Sequence, residues 1–284
     1  MAFKWVEISR QPDKKRYQAL EQALLLAGFE NKVEFLETDE QIFGETLQKA
    51  FGEFDQIRIG GALCEMAPRL LDHLPAEILT LQMADAFVPD PTVVGKWWPR
   101  CYLAEGYHRA IVSNVKNLDL SGAVFVLGAG TEARAAVGAF ARLGFRRFSI
   151  ADLDDDRGQS FADELKRRHF GAVFDFIPRH QITQLPAVHV IAVNTLPFGK
   201  DEGLHGELFY FNFLRVGGVW LDMDVHSPNP HLESEARSVG AVIENATSVI
   251  AWTDVSWAVE ALSVKLDTTS LYSSYLAAFQ QTNR

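Results

Sequence analysis

The chain has 284 residues, 48% of them hydrophobic, a formal net charge of −10 at pH 7 and two cysteines. That length suits one large or two medium domains, and the acidic balance argues against a nucleic-acid partner. No run approaches the ~18–20 apolar residues of a membrane span, the start MAFKWVEISRQPDKKR has no apolar signal core, and Cys64 and Cys101 are too few for a disulfide framework or a cysteine zinc site. A cytoplasmic protein without a membrane partner is expected.

In chain order, KWVEIS reads as a strand, Lys14–Ala27 as a helix ended by Gly28, and KVEFLET as a second strand. Asp39–Phe51 reads as a helix opened by Thr38 or Asp39, FDQIRIGG as a third strand, Ala67–Leu74 as helical, and EILTLQMADAFV as a further apolar segment. A helix over 104–120 leads into AVFVL, and the later strands are FSIAD, AVFDFI, VHVIAVN, GGVWLDMDV and AVIEN. The stretch Val249–Gln281 reads as helical. This β/α alternation predicts an α/β protein of two domains: an N-terminal α/β substrate-type domain over 1–103 and a Rossmann doubly wound parallel sheet over 104–248. C-terminal helices over 249–284 are expected to pack back on the first domain.

The segment from Ala123 to Asp152 carries the most chemistry. AVFVL is a strand fit for burial on both faces, and Gly128-Ala129-Gly130-Thr131-Glu132-Ala133 follows at once in the pattern G-x-G-x-x-G/A. Gly128 permits the tight turn, Gly130 leaves room for a pyrophosphate, and Ala133 allows close helix–strand contact. The helix from Thr131 to Leu143, capped by Gly144, would aim its free amides and positive dipole end at the phosphates. Asp152 ends the next strand about 20 positions after Gly130, as a ribose-binding acid should. With Asp154, Asp155 and Asp156 it favours NAD over NADP, while Arg146, Arg147 and Arg157 lie nearby in sequence and weaken that preference.

The plan resembles the shikimate/quinate dehydrogenase family. LSGAVFVLGAGTEARAA is similar to that family's strand–turn–helix segment. Val193-Asn-Thr-Leu-Pro-Phe-Gly199 resembles its Asn-x-Thr-Pro-x-Gly loop, and Val219-Trp-Leu-Asp222 with Ser227-Pro-Asn-Pro230 resembles its Asp-x-x-Tyr-x-Pro strand end. The resemblance implies NAD(P)-dependent hydride transfer on a small hydroxylated substrate, with Asn194 and Thr195 against the nicotinamide. It also implies a catalytic Lys/Asp pair that is not found here. In the turn Ile57–Glu65, Cys64 stands at the lysine position with Glu65 beside it, and Pro99–Gly106 holds no Asp where the family has Asn-Thr-Asp. Ser9 is the remnant of its paired carboxylate-binding serines, and Ala246–Trp252 replaces its late Gly-x-x-Met-Leu-x-x-Gln segment. The substrate is therefore expected to be other than shikimate.

Several groups are candidates for the missing chemistry. Lys96 stands in for the family lysine, and Gly95-Lys-Trp-Trp-Pro-Arg100, with Tyr102, is either a pocket for an anionic ligand or an apolar clasp with snorkelling cations. Asp222, Asp224 and His226 alternate along a strand end; they form an acid–base cluster if the strand stays extended, or a capping Asp222 with solvated neighbours. No further ligand has metal spacing, so no metal is called for. Cys64 is a reactive thiol or an inert buried one. The substrate side is assigned to Ser9, Cys64, Glu65, Arg100 and Tyr102, and catalysis to Lys96, Asp224 and His226. The first reading is an NAD(P)-dependent oxidoreductase acting on a small-molecule substrate, with a homodimer left open. The second is an inactive nucleotide-binding sensor, and a third is another two-domain dehydrogenase such as the methylene-tetrahydrofolate type.

Overall fold

A computed structural model describes residues 4–90, 92–196, 208, 211–224 and 230–282. The chain divides into two units, 1–106 with 250–284, and 107–249.

In the first unit, β1 (Lys4–Ser9), β2 (Lys32–Glu37) and β3 (Gln56–Ile59) pair in parallel, and β4 (Ala86–Pro89) and β5 (Trp97–Arg100) add antiparallel, in the order β2-β1-β3-β4-β5. α1 (Lys14–Leu26) begins where the Asp13 carboxylate accepts from the Arg16 amide, and Gly28 follows it at a φ of +89°. α2 spans Phe43–Glu53, starting later than the sequence implies because the Asp39 carboxylate accepts from the Gln41 and Ile42 amides and closes a turn first. The expected helix over Ala67–Leu74 is instead α3 (Leu63–Met66) followed by a 3₁₀ turn over Ala67–Leu70. α4 (Ala76–Leu81) stops at Gln82, which takes a left-handed φ of 55°.

α5 (Tyr102–Asn114) precedes the second sheet, whose strands are all parallel: β6 (Ala123–Leu127), β7 (Arg147–Ala151), β8 (Val173–Phe176), β9 (His189–Asn194), β10 (Leu214–Asp222) and β11 (Val242–Asn245). Between them lie α6 (Thr131–Leu143), α7 (Asp155–Arg168), a 3₁₀ turn over Arg179–Gln184, and α8 (Pro230–Ser238). The spatial order is β11-β10-β9-β6-β7-β8. Chain order therefore reverses between β6 and β9, the switch point at which doubly wound sheets bind ligands. Phe125, Phe213, Leu214 and Trp220 are buried in this unit's core, each removal of a large apolar side chain from water contributing about 1.5–3 kcal/mol. The C-terminal segment forms two helices, α9 (Ala246–Leu262) and α10 (Thr268–Thr282), and α10 packs on α1 within the first unit.

Candidate functional site

The glycine turn leaves β6 at the switch point. Gly128 has a φ of +113°, a conformation L side chains rarely adopt, and its amide donates to Ala151 O at 2.8 Å. A methyl group on Gly128 would lie 2.1 Å from Thr195 Oγ1, whereas one on Gly130 would meet nothing within 4 Å. The two glycines thus serve different needs: the first is required by the fold, and the second keeps space open above the turn. The N-cap of α6 is Gly130, which brings no side chain of its own to the helix N-terminus, and Ala133 is fully buried beneath it. Open space at Gly130 and a helix N-terminus that starts on a glycine fit a dinucleotide's pyrophosphate. Ala129, Thr131 and Glu132 complete the turn and the first residues of α6.

The Asn194–Thr195 loop sits directly across this switch point. Thr195 donates to Leu127 O twice, from its amide at 2.9 Å and its hydroxyl at 2.7 Å. Asn194, wholly buried, donates to Leu196 O at 2.8 Å and to Asp222 Oδ1 at 2.9 Å, and accepts from the Leu196 amide at 3.0 Å. These side chains tie the loop to the ends of β6 and β10 and brace it at the switch point.

Asp222 ends β10, and its carboxylate also accepts from the Asp224 amide at 3.0 Å. The chain turns there, so Asp222 and Asp224 do not share one face of an extended strand. Asp222 is the capping residue, Asp224 is half-buried beyond it, and His226 lies outside the described residues. Burial pushes the Asp222 carboxyl from an ordinary 3.8 up to about 6, against the amide of Asp224 and the Asn194 hydrogen bond, which lower it.

At the end of β7, the Asp152 carboxylate is buried. It accepts from Arg157 Nε at 3.0 Å, from Arg157 Nη2 at 2.7 and 2.8 Å, and from the Asp154 amide at 3.0 Å.

The first unit gathers a different set. Ser9 ends β1 beside Gly60, where an added methyl would fall 2.6 Å from Glu7 Oε1 and 2.7 Å from Ser9 Cβ. Glu7 and Arg58 are register partners on β1 and β3, both buried, so both face the same side of the sheet. Arg58 Nη2 lies 3.4 Å from Asp85, whose carboxylate accepts from the Tyr102 and Leu103 amides at 2.7 Å each and so caps α5. Arg58 Nε and Nη1 make no hydrogen bond among the described residues, and the guanidinium lies 5.8 Å from the Tyr102 ring and 5.4 Å from that of Trp257. Burial raises the Glu7 carboxyl, with Arg16 and Arg58 acting against the rise. Burial likewise pushes the Tyr102 hydroxyl far above its ordinary range. Glu7, Arg58 and Asp85 were not foreseen; their one signal is a charge set inside the apolar runs WVEI, QIRI and MADAF.

Other expected members of this set stand elsewhere. Cys64 is buried and donates to Ile59 O at 3.2 Å, with Glu65 half-buried next to it. Lys96 is a correction. Because β4 and β5 form an antiparallel pair, residue 96 comes to the amino-terminal end of β1 and β3, opposite Ser9, and its exposed ammonium sits 5.1 Å from the Trp98 ring. Arg100 pairs with Glu260 at 2.9 Å, both half-exposed. Among the described residues no three His, Cys, Asp or Glu side chains gather as a metal site, and no helix is long and apolar enough to cross a membrane.

The architecture has solved counterparts. Quinate dehydrogenase from Corynebacterium glutamicum, in complex with NAD, superposes with a TM-score of 0.81 at 20% identity, covering 97% of this chain and 99% of that one. The fold is that of the shikimate and quinate dehydrogenases. Shikimate 5-dehydrogenase from Thermus thermophilus, in complex with NADP(H) and shikimate, gives 0.77 at 17% identity over 97% and 99% of the two chains. The 5-ketofructose reductase of a Gluconobacter species gives 0.77 at 15% over 98% and 99%. In sequence, the shikimate dehydrogenase (NADP(+)) of Citrifermentans bemidjiense is 29% identical over 133 residues, 45% of this chain and 44% of the relative. The sequence match thus spans less than half of the relative's length. No family model matches the chain. The resemblance read from the glycine turn and the Asn194–Thr195 loop is borne out in the shikimate dehydrogenase-like fold.

Proposed function

We propose that this protein is an NAD(P)-dependent oxidoreductase that moves a hydride to or from a small hydroxylated, anionic substrate other than shikimate. The observation that carries it is the α6 N-terminus that begins at Gly130, with open space beside that glycine, set at the sheet's switch point. Gly128, Ala129, Gly130, Thr131, Glu132 and Ala133 would hold the pyrophosphate, and Asp152 with Arg157 would meet the adenosine ribose. Asn194 and Thr195 would back the nicotinamide. The nicotinamide, when bound, supplies the hydride acceptor or donor. On charge alone Asp152, Asp154, Asp155 and Asp156 favour NAD.

Alcohol oxidation also needs a group to take the hydroxyl proton. Asp224 and His226 are proposed for that role, and Lys96 is not carried into it. In the first unit Ser9, Arg58 and Tyr102 form the proposed substrate side: a buried guanidinium with unmade donors, near Ser9, suits a carboxylate.

One observation favours the second reading, a nucleotide-binding sensor without hydride chemistry. The turn after β3, which in the resembled family carries the lysine, presents Cys64 with its thiol turned inward onto Ile59 O. Calorimetric titration with NAD and NADP, followed by a panel of hydroxy acids and polyols read by cofactor absorbance, separates the two. Turnover with any panel member supports the enzyme. Tight binding without turnover across the panel favours the sensor.

A further inference from the structure

We propose that the first unit carries a further small-molecule site, a cavity at the amino-terminal end of β3 that takes a neutral, planar aromatic molecule bearing an N–H or O–H donor. Gln56 begins β3, whereas Ser9 ends the parallel β1, so this cavity and the proposed substrate side lie at opposite ends of the sheet.

One face of the sheet builds the cavity. Val88 and Trp98 are register partners on β4 and β5. Gln56 precedes Ile57, the partner of Phe87, so it falls beside Val88 on the same face. Gln56 is also the register partner of Trp5, whose ring lies 4.7 Å from that of Trp257 on α9, and this puts α9 against the same face. Arg100, two residues on from Trp98, reaches Glu260 in the last turn of that helix at 2.9 Å. There α9 stops: Ser263 takes a left-handed φ of 52°, and its amide donates to Glu260 O at 3.1 Å. Beside the helix end a cavity of about 740 Å³ opens, within the ~300–1,000 Å³ of small-molecule pockets. All of its lining residues belong to the first unit.

The lining sets the chemistry of the occupant. Val88, Pro89, Trp98, Pro99 and Ala261 give apolar walls. The Trp98 indole is anchored, its Nε1 donating to Asp90 Oδ2 at 2.7 Å, and so offers a fixed surface for another ring. Its neighbour Trp97 stacks on Phe51 at 5.2 Å and serves packing instead. Gln56 supplies the polar demand. It is 7% exposed, and its buried Oε1 makes no hydrogen bond among the described residues. A buried acceptor in that state gains from a donor brought to it. The charged lining makes no such demand: Arg100 and Glu260 pair with each other, and Asp55 accepts from the Lys4 amide at 2.9 Å.

The test is calorimetric titration of the full chain with indole and with 1-methylindole, which has the same ring and no donor. The wild type is expected to bind indole with a dissociation constant on the order of 0.1–1 mM and 1-methylindole about fivefold more weakly. Gln56→Met should remove the preference between the two probes. Trp98→Ala should weaken both by about tenfold. Melting curves establish that the variants fold; should Gln56→Met fail to, the probe pair on the wild type and Trp98→Ala carry the decision. A wild type that does not bind indole, equal wild-type affinity for the two probes, affinity unmoved in folded Trp98→Ala, or displacement of indole by excess NAD overturns the proposal.

Discussion

Gly128 and Thr195 meet so closely across the switch point that a single methyl on the glycine would stand 2.1 Å from the threonine hydroxyl oxygen. That hydroxyl is itself held by Leu127 O at 2.7 Å, so it cannot step aside without losing the bond that ties the β9 loop to β6. Gly128→Ala should therefore destabilise the protein by about 1–3 kcal/mol, from the clash and the positive φ together. Gly130→Ala, into open space, should leave the melting temperature near that of the wild type and weaken nucleotide binding. Thermal melts with parallel titrations check both. Equal destabilisation by the two substitutions would contradict the division of roles.

Asp222 makes the second unit's stability pH-dependent. Its carboxyl is raised to about 6 from an ordinary 3.8, so the folded state binds its proton more tightly than the unfolded state does. Stability contributed by the protonated form is present at low pH and is lost as pH rises through about 4 to 6, by up to about 3 kcal/mol. Glu244, also raised by burial, adds in the same direction. Asp222→Asn can still accept from the Asp224 amide. It should flatten this part of the profile and be more stable than the wild type at pH 7, with little difference near pH 4. Urea midpoints measured across that range decide it; parallel profiles for the two proteins would sink the assignment.

In the first unit, Asp254 is fully buried between Arg16 and Tyr275. Arg16 Nε donates to it at 2.6 Å, a second guanidinium nitrogen reaches the other oxygen, and the Tyr275 hydroxyl donates at 2.9 Å. Asp254→Ala strands a guanidinium whose side chain is 20% exposed. A loss of about 3–5 kcal/mol is expected, mostly from that unpaired charge. Pairing it with Arg16→Met should recover part of the loss. Two additive single effects in a urea double-mutant cycle would show that the pair is not coupled.

The second unit was legible because its signals are local. AVFVL, the two glycines, Gly144 and Asp152 each state a nearby backbone need, and the helix Thr131–Leu143 appears with the bounds the sequence implies. What was not legible depends on pairing. Nothing in GKWWPR says that β4 and β5 reverse direction and carry Lys96 to the far end of the sheet. Glu7 and Arg58 become neighbours only when β1 pairs with β3, some 50 positions apart in the chain. Of the two readings open for Asp222 and Asp224, the capping one holds: the Asp222 side chain bonds the second amide after it and ends the strand. Asp152 stands directly after β7, where its place in the sequence put it; the arginine five positions on that covers it required the start of α7 to be seen.

The central claim is a dinucleotide site over the Gly128–Ala133 turn. The most direct measurement is calorimetric titration of NAD and NADP into the wild type and into Gly130→Val, with melting curves to confirm that both are folded. The account predicts one nucleotide bound per wild-type chain and binding lost in the valine variant at an unchanged melting temperature. A wild type that binds neither nucleotide, or a folded valine variant that binds as well as the wild type, would contradict it.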